Sequence, residues 1–177
     1  MATLALEEMS MVKMIQVNKV DPLVFLADAQ AFYRAAAKVY GEEHILNRPL
    51  YFLYFHTMEL AFKAYLRSHS VPTSALQTGW GHDLLKLYED CRDRGFVIGS
   101  EDRFDVRNVV VLLTHVNDRQ GLRYYNPIVS TYPSMSWTRD VVQKVFLTVA
   151  AHLGVPTDPP PGPPVRFAFT LSKPGKQ

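Results

Sequence analysis

The stretch LYFLYFHTMELAFKAYL, Leu50 to Leu66, decides the fold. Asn47-Arg48-Pro49 supplies a helix start and Val71-Pro72 a stop, so a helix is predicted from there to about Ser70. Its first half is apolar or aromatic on nearly every side, as a helix surrounded by neighbours must be, which makes it the central element. One polar stripe interrupts it: His56, Glu59, Lys63 and Arg67 follow one another at helical spacing. Two readings fit that stripe. Glu59 and Lys63 can form an i,i+4 ion pair with His56 as a satisfied interior group, or the stripe can be a polar seam that receives a ligand.

Outward from this helix, the chain keeps a helical period. Asp21-Pro22 opens an earlier helix on which Leu23, Leu26, Ala29, Phe32, Tyr33, Ala36 and Tyr40 recur, ending near Gly41. Thr73 to Trp80 reads as a loop. A shorter helix from about Gly81 carries Leu84, Leu87, Tyr88 and Cys91 on one face and closes at Gly95. Ser100 caps a further helix with Phe104, Val106, Val109, Val110, Leu113 and Val116; the β-branched run Val109-Val110-Val111 competes as a strand, but the apolar period continues beyond strand length. Gly121 to Met135 reads as a loop or irregular hairpin. A last helix from near Ser136 to Gly154 places Trp137, Val141, Val145, Thr148, Val149 and His152 on one face. The expected organisation is an N-terminal extension (1–20), an all-α, up-and-down bundle of four to five helices (21–155) and a proline-rich tail (156–177).

The charge excess belongs to that tail. The 177 residues carry a net charge of +2, yet residues 1–155 hold 16 Lys and Arg against 16 Asp and Glu. Arg166, Lys173 and Lys176 face only Asp158, among seven of the twelve prolines. The body is neutral, so overall basicity gives no argument for nucleic-acid binding. The tail itself is either a solvated extension or a polyproline ligand.

A single cysteine, Cys91, excludes an internal disulfide or a multi-cysteine metal site and fits a cytoplasmic setting. On an apolar helix face it reads as an inert buried thiol. No secretory signal or membrane span is read from the apolar pattern. G-x-S-x-G, G-x-x-x-x-G-K-[ST] and G-x-G-x-x-G are all missing, so elbow hydrolase, P-loop and Rossmann chemistry lack their residues. No metal or cofactor is expected. The dipeptide His82-Asp83 reads as structural, Asp83 favouring the positive end of a helix. Arg119, Arg123, Tyr124 and Tyr125 combine guanidinium groups with aromatics, which suits either stacking on bases with phosphate contact or packing back on the bundle.

Together, His56-Thr-Met-Glu59-Leu-Ala-Phe-Lys63-Ala-Tyr-Leu66, the break at Val71-Pro72, and Gly81-His82-Asp83-Leu84-Leu85-Lys86-Leu87 resemble the HEPN (higher eukaryotes and prokaryotes nucleotide-binding) family. Those domains carry an E-x-x-x-K-A-x-L helix followed by a tHdL-x-x-L helix, and Arg123-Tyr124 resembles the R-Y pair found after their later helices. The resemblance spans about residues 22–153 and implies a helical bundle that commonly forms a homodimer. It also implies roles in nucleotide binding, RNA cleavage, or toxin–antitoxin and defence systems.

Its ribonuclease members place an Arg and then a His, with four to six residues between them, in a metal-independent site shared across a dimer. Arg107 and His115 are the matching pair here, as cation and base for RNA transesterification, but seven residues intervene. That step separates them by roughly 12 Å along a helix axis and about 80° around it. The leading expectation is therefore a non-catalytic HEPN-like domain. It would bind a nucleotide, RNA or protein partner through His56, Glu59, Lys63, Arg119, Arg123 and Tyr124. The alternatives are the ribonuclease just described and a helical dimerisation partner of a nucleotidyltransferase.

Overall fold

Six helices and no strand make up the described residues of this computed structural model, which are 21–40, 47–99, 103–118, 121–123 and 131–156, with backbone alone at 103 and 104. They are α1 (Pro22–Val39), α2 (Arg48–Ser68), α3 (Thr73–Thr78), α4 (Leu84–Asp93), α5 (Arg103–Val116) and α6 (Met135–His152). Local chemistry sets their ends. Asp21 Oδ1 accepts from Leu23 N at 2.8 Å, Asn47 Oδ1 from Leu50 N at 3.0 Å, and Asp83 Oδ1 from Lys86 N at 3.0 Å. Each satisfies a donor that a helix start leaves over.

At the other ends, paired bonds close α2, α4 and α6. Val71 N reaches Leu66 O, Phe96 N reaches Cys91 O and Val155 N reaches Ala150 O, at 3.1, 3.0 and 2.9 Å. This closure needs a left-handed residue, supplied by Gly95 (φ 87°), Gly154 (φ 68°) and, on α2, by Ser70 (φ 63°).

Helix α2 is the hub. It packs against α1, α4 and α6, while α5 closes the far side against α4 and α6. Tyr54, Phe55, Met58, Phe62 and Leu66 are sealed within it. Direction follows from contacts. Tyr51 Oη donates to Pro133 O, before α6, and Ser68 Oγ lies 3.0 Å from His152 Nε2 at its end, so α6 runs in the same sense as α2. Glu59 meets His82 and Tyr65 Oη donates to Arg94 O, so α4 does too. The segment between α2 and α4, which holds α3, therefore carries the chain back from Ser68 to His82 beside Glu59.

This corrects the reading of Thr73 to Trp80 as a loop: Thr73–Thr78 is helical and Leu76 is buried. No apolar period could announce so short an element. Helix α4 begins at Leu84, not at about Gly81, because Asp83 is its cap. The valine run does lie in a helix, with Val109, Val110 and Leu113 fully buried. Two predicted faces shift. Leu23 on α1 is exposed, and the buried side of α6 is Met135, Thr138, Val141, Val142, Val145, Phe146, Val149 and Ala150, which leaves Trp137, Thr148 and His152 at its margin. Gly41, Ser100, Arg119, Tyr124, Tyr125, the predicted N-terminal extension and the predicted tail from 157 onward lie outside the described residues.

At the shared end of α2 and α6, the rings of His69 and His152 stack at 5.2 Å beside Tyr65. Burial and then the charge of His69 lower the His152 pKa.

Candidate functional site

Glu59 is the centre of the site. Helical spacing on α2 brings His56 and Lys63 to the same face, one turn on either side. The start of α4 adds His82, and the turn after α5 adds Arg123. The Glu59 side chain is 3% exposed, and its Oε1 accepts from Lys63 Nζ at 2.6 Å and from His82 Nδ1 at 3.0 Å. His56 Nδ1 lies 3.4 Å from Oε2, an electrostatic contact that leaves this buried oxygen without a hydrogen bond.

Proton positions follow from the partners. Arg123 Nη2 stands 3.0 Å from His56 Nε2, and a guanidinium only donates, so Nε2 accepts and the ring proton sits on Nδ1, facing Glu59. The same logic puts a proton on His82 Nδ1. Its Nε2 makes no hydrogen bond among the described residues, and the side chain is 50% exposed.

Burial alone would raise the Glu59 carboxyl. His56, the charge and hydrogen bond of Lys63, and His82 more than offset it, taking the pKa from 4.5 to about 2. A sealed anion is thus held ionised by a sealed cation, with two imidazoles alongside. Aromatic rings wall it in: His56 lies 5.1 Å from Phe32 of α1 and 4.4 Å, edge-on, from Phe52. Arg123 rides over the Phe52 ring at 5.3 Å and is exposed.

Four of the residues expected to bind a ligand, His56, Glu59, Lys63 and Arg123, therefore meet in one place. Arg67 leaves the stripe and donates to Val71 O at the helix end. Arg107 and His115 are both exposed on α5, and neither joins the cluster or another hydrogen bond or ion pair among the described residues. His82 is the member that sequence reasoning set aside as structural, together with Asp83. The cap is its neighbour Asp83, and the only signal was that His82 heads the second half of the family-like pattern.

No group of three or more His, Cys, Asp or Glu placed to hold a metal ion occurs among the described residues, and no described helix is long and apolar enough to cross a membrane. No family model, curated protein or solved structure matches the chain.

Proposed function

We propose that this is an HEPN-like helical domain that binds a phosphate-bearing ligand, a nucleotide or an RNA, at the rim where α2, α4 and the 121–123 turn meet. One observation carries the reading: the Glu59–Lys63 pair cancels internally, and Arg123, which makes no ion pair among the described residues, presents a positive charge beside the imidazoles, on an aromatic platform. A guanidinium over a ring offers charge to a phosphate, and the ring edge offers a surface for a base. Glu59, paired with Lys63, holds His56 and His82 in position. The neutral body leaves this local charge as the binding determinant.

The test is calorimetry and thermal shift with nucleoside mono- and triphosphates and a short single-stranded RNA at low salt. Binding should raise stability by about 2.7 kcal/mol at a ligand concentration 100-fold above Kd. Arg123→Ala should remove most of that gain while leaving the unliganded protein folded. Failure of every anionic ligand to stabilise the protein would end this reading. Cleavage of RNA in the presence of chelator, lost in His115→Ala, would replace it with the ribonuclease alternative.

A further inference from the structure

We infer that the group recognised at this rim is a terminal phosphate monoester, bound as a dianion with uptake of one proton by His82. The inference rests on the anion-binding reading above and adds to it the charge state of the ligand.

Geometry carries the argument. Glu59 Oε1 fixes His82 by Nδ1, which turns Nε2 away from the carboxylate toward solvent. His56 is the spacer between His82 and Arg123: its ring centroid is 6.3 Å from that of His82, and its Nε2 is 3.0 Å from Arg123 Nη2. An anion seated at the rim beside His56 meets the guanidinium on one side and His82 Nε2 on the other. Nε2 can donate only when the ring is a cation.

The charges then match. Glu59 and Lys63 cancel, Arg123 contributes one positive charge and protonated His82 a second, so the rim complements two negative charges. The other ionisable groups facing His82 do not alter the count. Asp83 and Lys86 of α4 carry opposite charges, Asp83 Oδ1 capping the helix at Lys86 N and Lys86 Nζ donating to Gly79 O. From α1 the cluster receives Phe32, which is uncharged. The two ring nitrogens of His56 are engaged by Arg123 and Glu59. A phosphodiester, with one negative charge, is matched by Arg123 and draws a proton to His82 more weakly than a dianion does.

The experiment uses the full chain at pH 7.5, where a phosphate monoester is a dianion because its second pKa is about 6. Isothermal titration compares four nucleoside 5′-monophosphates with their 3′,5′-cyclic diesters and with inorganic phosphate, in two buffers of different ionisation enthalpy. The expected result is at least about tenfold tighter binding of monoester than of cyclic diester, with uptake of about one proton. His82→Gln should abolish the uptake and reduce the preference to below about twofold, while His56→Gln keeps the uptake. Equal affinity for monoester and diester, binding without proton uptake, or uptake lost in His56→Gln but kept in His82→Gln would each overturn the inference. Diester binding through Arg123 would leave the anion-binding reading standing, so the two failures are distinguishable.

Discussion

Lys63 Nζ lies 2.6 Å from Glu59 Oε1, one turn away on α2, and neither side chain exposes more than 11% of its surface. Removing one partner strands the other's charge in the interior. Glu59→Ala is expected to lose about 3–5 kcal/mol in urea denaturation, whereas Glu59→Met combined with Lys63→Met should recover most of it. Equal losses in the single and double variants would show that the pair is not what the fold responds to.

Acid should weaken the protein through the same carboxyl. Its folded pKa is lowered from 4.5 to about 2, so the unfolded chain binds the proton more readily. The contribution is complete above pH 4.5 and is lost as pH falls toward 2. Stability measured by urea titration should decline across that window by on the order of 3 kcal/mol more in the native sequence than in Glu59→Gln.

Helix α3 supplies a separate test. Leu76 is 1% exposed although it sits on a segment of only six residues. Leu76→Ala should cost about 2–5 kcal/mol, as core truncations do. A change within about 0.5 kcal/mol, typical of surface loops, would mean that the return segment merely connects α2 to α4.

Two substitutions at helix ends should have opposite signs. A Cβ at Gly95 would meet nothing within 4 Å, so Gly95→Ala isolates the backbone cost of φ 87°, about 1–2 kcal/mol. Ser70 already bears that cost at φ 63°. Ser70→Gly should raise stability by roughly 0.5 kcal/mol, the relief being partly offset by the greater freedom of glycine in the unfolded chain. Thermal melts of both variants check the signs.

The long helices were legible because capping chemistry and apolar period agree: Asp21-Pro22 and Asn47 stand where α1 and α2 begin, and Val106 to Val116 keep their spacing through a valine run that disfavours helix. Periodicity failed where an element was too short to display one, as at Leu76. It also failed at margins such as Leu23 and Trp137, where burial depends on which neighbour arrives. The candidate site divides similarly. His56, Glu59 and Lys63 share one helix face, so spacing alone groups them. His82 lies 23 positions from Glu59 and Arg123 lies 67 from His56, and only tertiary packing joins them.

The position of α2 at the hub also sets an order of events during synthesis. Its partners before and at the end of α6, Pro133 and His152, lie 82 and 84 positions downstream of Tyr51 and Ser68. At roughly 5–20 residues per second, translation leaves that side of α2 waiting about 4–17 s for its cover. The face of α2 that meets α6 is thus covered long after the face that meets α1. In that interval the nascent chain presents Tyr51 and Tyr65 to chaperones and to other unfinished chains alike.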